Sequence, residues 1–273
     1  MKSTTKTVAQ KVGESVKFIH SKTKLHPELG IILGSGLGNF AESLAVNKVI
    51  DTADIPHYPI STVEGHKGKL VFGKLNSIPL LAFQGRVHYY ESGNLESILY
   101  PIRVAQKLGI KTLILTNAAG GVNKSFSAGD LMVLSDQINL TFENPLKEAK
   151  TNSRHTPVYD PELLKIMVKT AAGKKIKIQQ GIYCGVKGPS YETASEIEMI
   201  RLIGGDAVGM STVNEASLAS ALGIRVAGIS CITNLATGIL DAKLSHAEVT
   251  EVADKVKFTF EDLLKGIIEN IGR

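Results

Sequence analysis

Thr112-Leu113-Ile114-Leu115-Thr116, followed without a break by Asn117-Ala118-Ala119-Gly120-Gly121, is the stretch whose reading decides the fold. Its first half is short, apolar and closed by β-branched residues, with no polar alternation, and reads as a strand buried on both faces. Its second half is built of small residues. At the carboxyl end of a buried strand these let a ligand approach the backbone closely, or they relieve a crowded strand–helix junction. The same grammar recurs along the chain. Apolar runs at 29–33, 70–75, 78–83, 112–116, 131–134, 181–186, 207–210 and 225–231 alternate with helical patterns at 5–21, 94–108, 161–172, 193–203, 213–222 and 246–271. Such alternation predicts an α/β domain. In the last helix Val249, Val252, Val256, Phe260, Leu263, Leu264 and Ile267 keep the spacing of one buried face. Gly109 and Gly223 fall just after predicted helices, where a left-handed cap is wanted. Two segments break the alternation, 55–69 and the polar, proline-bounded 143–161, and both read as lids or subunit contacts.

A chain of 273 residues with no composition break reads as one domain, 1–273. Hydrophobic residues make up 43 %, aromatics only 5 %, and Trp is absent, so the core is expected to be Val, Ile, Leu and Ala, enough to cover a large parallel sheet. The polar start Met1-Lys2-Ser3-Thr4-Thr5-Lys6 has no apolar leader, and no run is long enough to span a bilayer. Cys184 and Cys231 stand apart in apolar runs, as reduced core residues do, and the expected compartment is the cytoplasm. The net charge of +5 comes from scattered lysines such as Lys11, Lys17, Lys22 and Lys24, with acids between them and no interleaved aromatics. That distribution describes a solvated surface, with no nucleic-acid patch and no membrane partner, and gives a mild attraction for phosphate-bearing ligands.

The chemistry-bearing residues sit in short motifs. Gly34-Ser35-Gly36-Leu37-Gly38 follows an apolar run and opens a short helical stretch, so its amides and the Ser35 hydroxyl can cradle an anion. A dinucleotide fingerprint competes, because Asp54 lies at about the ribose-binding distance, although Asn39 occupies the third-glycine position; a plain tight turn also fits. In Arg86-Val87-His88-Tyr89-Tyr90 an extended backbone places Arg86, His88 and Tyr90 on one side: a guanidinium fork, an imidazole and a phenol for phosphate or sugar oxygens. Glu192 follows Gly188-Pro189-Ser190-Tyr191 at an apparent helix start, where a capping role is the plain alternative. Asn234 ends an apolar strand, where an amide needs partners. His246 belongs to the first turn of the final helix.

Taken in order, these motifs, with Ser61-Thr62-Val63-Glu64-Gly65-His66, Asp136-Gln137-Ile138-Asn139-Leu140, Gly209-Met210-Ser211 and Thr233-Asn234, resemble the trimeric, low-molecular-mass purine nucleoside phosphorylase family, which also includes methylthioadenosine phosphorylase. The resemblance runs from about Ile31 to the final helix. It implies a mixed β-sheet surrounded by helices, the nucleoside phosphorylase fold, and a homotrimer. It implies phosphate contacts from Ser35, His66, Arg86, His88, the Ala118 amide and Ser211, and ribose contacts from Tyr90, Met210 and His246. Purine contacts fall to Tyr191, Glu192, Thr233 and Asn234, with His88, Glu192 and Asn234 in the catalytic roles. Family members use no metal and no organic cofactor; inorganic phosphate is the co-substrate, and the other partners are purine nucleosides and purine bases. Departures include Tyr191 where Phe is frequent, Ser92 for Gly, Asn214 for Pro, and a shortened 143–161 loop that offers His155 where relatives send an aromatic to the neighbouring subunit.

The reaction so implied is phosphorolysis of inosine- and guanosine-type nucleosides. Phosphate below the sugar stabilises an oxocarbenium-like centre and then attacks it, while Asn234 supports the departing purine, with no covalent nucleophile. Methylthioadenosine phosphorylase is the alternative, and it would be expected to carry Asp at position 234.

Overall fold

The computed structural model describes residues 6–63, 66–147, 157–239 and 246–272, apart from the side chains of 246–250, 253 and 254. Nine strands form one mixed sheet: β1 (Leu29–Leu33), β2 (Ala45–Asp51), β3 (Lys69–Leu75), β4 (Ile78–Gln84), β5 (Thr112–Gly121), β6 (Leu131–Asn139), β7 (Gln179–Gly185), β8 (Ala207–Gly209) and β9 (Arg225–Leu235). Their order is β2-β3-β4-β1-β5-β8-β7-β6-β9. Because β9 also pairs with β5, the last five strands close a ring. The helices are α1 (Val8–Lys22), α2 (Tyr89–Ser92), α3 (Leu95–Lys107), α4 (Pro161–Gly173), α5 (Ala194–Leu202), α6 (Val213–Ala221) and α7 (His246–Ile271).

The apolar runs form the central strands for the expected reason. All five residues of β1 are buried, and Leu113, Ile114 and Leu115 of β5 are fully enclosed. Parallel pairing of β1 with β4 and β5, and of β5 with β9, needs helical crossovers, which cover the two faces. On one face α7 sets Phe260, Leu263, Leu264 and Ile267 against Leu163 and Met167 of α4 and against the sheet. Cys184 and Cys231 are free and buried, and burial pushes both thiols up to about 12.

Three features depart from the expectations. Strand β2 is not visible as an apolar run because it lies at the sheet's edge, with only Ile50 buried. Strands β5, β6 and β9 run on to Gly121, Asn139 and Leu235, through residues read as strand-end motifs. Their outer halves are held by pairing with β7, β8 and each other, which no local pattern records. The extended alternation expected from Arg86 to Tyr90 stops at His88, since Tyr89 begins the short helix α2.

Candidate active site

The sheet opens where β5 changes partners. Its first residues pair with β1 as far as Leu115, and its last, Gly120 and Gly121, pair with β8. Between them, residues 116–119 meet no strand on that edge. The Thr116 carbonyl there accepts from Arg86 Nη2, whereas the Ala119 carbonyl faces the Thr233 hydroxyl of β9. Backbone polar groups two residues apart share an edge, so the Ala118 amide points the same way as the Thr116 carbonyl, into the gap. Splits of this kind are where open α/β sheets bind ligands. A cleft of about 780 Å³, partly open to solvent, occupies it. Around it stand Ser35, Arg86, His88, Ala118 and Ser211, the residues expected at phosphate. Met210, Tyr191, Glu192, Thr233 and Asn234 line it as well.

Gly34 makes the closeness possible. A Cβ there would sit 2.7 Å from the Thr116 carbonyl oxygen and 2.8 Å from Asn117 Cα, so the turn lies directly on β5. The turn continues into a 3₁₀ segment, Gly38–Ser43, and Asp54 is exposed in another, Thr52–Asp54, away from the cleft. The dinucleotide reading therefore fails: it has neither the α-helix N-terminus for a pyrophosphate nor the acid for a ribose.

Arg86 is nearly enclosed and anchored from behind. Its Nη1 donates to Thr212 Oγ1 at 3.1 Å and to Glu215 Oε1 at 3.3 Å, and its Nη2 donates to the Thr116 carbonyl. The side chains of Arg86 and Glu215 are 4 % and 3 % exposed, so the pair is a buried one whose separation would leave an uncompensated charge. Arg86 Nε is buried with no partner.

Thr212 is the most strained residue of the site. It is fully buried at φ 76°, ψ −52°, and the Val213 amide donates back to the Ser211 carbonyl at 2.9 Å, which closes a tight positive-φ γ-turn. A β-branched residue there costs on the order of 1–3 kcal/mol. Thr212 is also the N-cap of α6, yet its hydroxyl makes no capping bond, forgoing about 1 kcal/mol more. The oxygen is committed elsewhere: it accepts from Arg86 Nη1 and from Asn117 Nδ2 at 2.9 Å, and lies 3.0 Å from Ser211 Oγ.

His66, His88 and Tyr90 form a column of rings, His66 on His88 at 5.2 Å and His88 on Tyr90 at 5.0 Å between centroids. Only His88 of the three lines the cleft. The His66 Nδ1 lies 2.7 Å from the Arg86 carbonyl and so carries the proton, which leaves Nε2 to accept from Ser35 Oγ at 3.3 Å. Burial first, then the neighbouring His88 and Arg86, push His66 down to about 4. It is a neutral support for Ser35. Tyr90, which the resemblance assigns to the ribose, lies on α2 and stacks on His88; burial, then Glu91, raises its hydroxyl's pKa. Glu91 holds the His88 amide and the Thr62 amide, each at 2.5 Å, and faces His88 Nδ1 at 3.4 Å. Burial alone would raise its carboxyl, but these bonds hold it at about 2.

Beyond β7, Gly188 at φ 64° packs so closely on Met210 that any Cβ would collide with its Sδ. The cap of α5 is Thr193, paired with Glu196 in a capping box, so the capping reading of Glu192 does not hold. Burial, then Glu196, raises the Glu192 carboxyl above its ordinary value. Asn234 has its amide orientation fixed. Its Nδ2 donates to the Leu235 carbonyl at 3.2 Å and its Oδ1 accepts from Thr233 Oγ1 at 3.0 Å. A flipped amide would set oxygen against the Leu235 carbonyl, so one Nδ2 hydrogen remains for a ligand.

Glu64, Gly65, His155 and the side chain of His246 lie outside the described residues. Asn117, Thr212, Glu91 and Glu215 carry supporting roles that the motifs did not assign. For Glu215 a signal was available: Asn214-Glu215 interrupts a helix otherwise made of small and apolar residues, and both side chains are buried. No cluster of three or more His, Cys, Asp or Glu side chains among the described residues is arranged to hold a metal. Nor, among them, is any helix long and apolar enough to cross a membrane.

Residues 28–269 match the phosphorylase superfamily. The chain is 47 % identical over 264 residues to purine nucleoside phosphorylase 1 of Bacillus subtilis, covering 94 % of this chain and 97 % of that protein. It is 37 % identical over 273 residues to the Bos taurus purine nucleoside phosphorylase, covering 94 % of each. The solved structure of Schistosoma mansoni purine nucleoside phosphorylase in complex with adenosine superposes with a TM-score of 0.88 at 34 % identity, covering 97 % of this chain and 98 % of that one. A schistosoma purine nucleoside phosphorylase in complex with hypoxanthine gives 0.89 at 33 % identity, over 98 % and 100 %. The chain belongs to the phosphorylase superfamily and, within it, to the purine nucleoside phosphorylases, enzymes of the pentosyltransferase class.

Proposed function

We propose that the enzyme carries out reversible phosphorolysis of 6-oxopurine ribo- and deoxyribonucleosides, inosine and guanosine among them, to the free base and the sugar 1-phosphate. The observation that carries this reading is the pairing of Glu192, an acceptor, with Asn234, whose amide orientation leaves a donor, in the cleft that Arg86 also lines. A 6-oxopurine offers N1–H to a carboxylate and N7 or O6 to an amide N–H. Adenine offers a lone pair at N1 and an amino group at C6, the wrong polarity at both points. A schistosome relative holds adenosine and another hypoxanthine, so in this chain the discrimination is expected in turnover more than in admission to the cleft.

Phosphate is assigned to Arg86, His88, Ser35, Ser211 and the Ala118 amide, with Tyr191 stacking on the purine and Met210 against the ribose. Since Glu215 offsets the charge of Arg86, the hydrogen-bond donors carry much of the selectivity for the anion. Held below the sugar, the phosphate stabilises the developing cation and attacks C1′, while Asn234 takes up charge on the departing purine. The reaction so proposed calls for no metal and no organic cofactor. Methylthioadenosine phosphorylase, the alternative, is disfavoured by Asn234. A homotrimer belongs to the proposal too; Phe142, 87 % exposed, is the kind of apolar surface an assembly covers. A stable, fully active monomer in sedimentation would contradict it.

The deciding experiment measures release of base from inosine, guanosine, xanthosine and adenosine with and without phosphate. Phosphate-dependent release from the 6-oxopurines, faster than from adenosine by orders of magnitude, is the expected result. Equal efficiency on adenosine and inosine overturns the reading of the base pocket.

A further inference from the structure

Behind the cleft, Thr212 sits at the crossing of three polar side chains, and the number of hydrogens among them fixes a direction. A threonine oxygen has two lone pairs and one hydrogen. With the Asn117 amide turned so that Nδ2 faces Thr212 and Oδ1 is left buried without a partner, both lone pairs of Thr212 Oγ1 are engaged, by Arg86 Nη1 at 3.1 Å and Asn117 Nδ2 at 2.9 Å. The third neighbour is Ser211 Oγ, at 3.0 Å. The Thr212 hydrogen must therefore go to Ser211, and Ser211 cannot return its own. The Tyr183 hydroxyl is fully buried beside the Ser211 hydroxyl and amide, but no hydrogen bond of normal geometry joins it to either. Ser211 lines the cleft, and its hydrogen is left for whatever acceptor enters.

We propose that Thr212 is a positioning residue: saturated by Arg86 and Asn117, it orients the Ser211 hydroxyl as a dedicated donor to the phosphate. This rests on the phosphate reading of the cleft. It accounts for two otherwise unexplained features, a β-branched residue held in a positive-φ γ-turn and an N-cap threonine that does not cap its helix. The turn brings the hydroxyl to Arg86 and Asn117 at the expense of the α6 amides. Without the Thr212 oxygen, the Ser211 hydrogen is free to turn to other acceptors and the phosphate loses a preset donor.

The test is a double-mutant cycle on KM for phosphate, with KM for inosine as the internal control. Ser211→Ala and Thr212→Val are each expected to raise KM for phosphate about tenfold, the loss of one hydrogen bond to an anion, and to move KM for inosine less than about twofold. In the Ser211→Ala background Thr212→Val should add less than about twofold, because the residue works through Ser211. Thr212→Ser, which keeps the hydroxyl, should restore most of the phosphate KM. If Ser211→Ala leaves KM for phosphate unchanged, the phosphate reading falls. If Ser211→Ala raises it but Thr212→Val does not, adds its full factor in the double variant, or raises both KM values alike, the positioning role is overturned. Should Thr212→Val fail to fold, Asn117→Asp replaces it. A carboxylate there accepts the Thr212 hydrogen and reverses the chain, so Ser211→Ala should then add less than about twofold; an undiminished Ser211→Ala effect overturns the proposal.

Discussion

Replacing Asn234 with aspartate separates what the base pocket selects from what holds it together. In the native protein the amide spans two fixed partners, donating to the Leu235 carbonyl at 3.2 Å and accepting from the Thr233 hydroxyl at 3.0 Å. A carboxylate keeps the second contact and inverts the first, setting one oxygen against another. Losing that bond and leaving the carbonyl unpaired costs about 1–3 kcal/mol, or a melting temperature lower by roughly 2–6 °C for a chain of this size. The catalytic effect is distinct. The hydrogen left on Nδ2 is the donor assigned to the departing purine, and removing one such donor costs about 10²–10³ in turnover. For adenosine the sign reverses, because an aspartate accepts from the 6-amino group. Destabilisation and any loss of active enzyme affect both substrates equally and cancel in their ratio. The ratio of kcat/KM for inosine to that for adenosine should therefore fall by at least about 100-fold, with Glu192 still mismatched to adenine N1. Steady-state rates on both nucleosides at saturating phosphate, with a melting curve on the same sample, measure all three quantities. A ratio unchanged within about threefold refutes the assignment of Asn234 as the discriminating donor.

Other outcomes follow from the same contacts. Arg86→Ala should reduce kcat/KM for phosphate by about 30- to 150-fold, and should also destabilise the fold by about 3–5 kcal/mol because Glu215 is left buried and unpaired; an unchanged phosphate KM and kcat would remove Arg86 from the site. Gly34→Ala should cost about 1–3 kcal/mol in denaturant unfolding and impair phosphate use, since its Cβ meets the Thr116 carbonyl oxygen at 2.7 Å; wild-type stability and activity would show that β1 and β5 separate freely there. Glu192 must be ionised to accept N1–H, and burial raises its carboxyl above 4.5, so kcat/KM for inosine should fall as the pH drops through a value above 4.5, and Glu192→Gln should abolish that limb. Stability should fall with acid as well. His66 is held near 4 against an ordinary 6.5, so between these values the unfolded chain binds a proton that the folded one does not; a melting temperature flat from pH 7 to 4 would show His66 titrating normally.

What the sequence determined by itself was whatever a local period or a short motif can encode. The apolar runs at 29–33 and 112–116 gave β1 and the start of β5, and the heptad-like face of 246–271 gave α7, because burial writes its spacing into neighbouring residues. Many of the cleft residues were legible because they sit in short motifs such as Gly34–Gly38 and Gly188–Glu192, whereas Ala118, Thr233 and Asn234 lie within β5 and β9. The tertiary structure alone decided the rest. Strand β2 has one buried residue and no period to read, and β5 extends to Gly121 only because β8 and β9 hold it there. The clearest case is the support for the anion site. Arg86 meets Thr212 and Glu215 across 126 and 129 residues of chain, and the carboxylate lies on the hidden side of a helix that reads as ordinary core. No local pattern joins residues so far apart. Only the closing of the sheet brings a buried charge to its counter-charge, and forces a threonine to give up its cap to hold them.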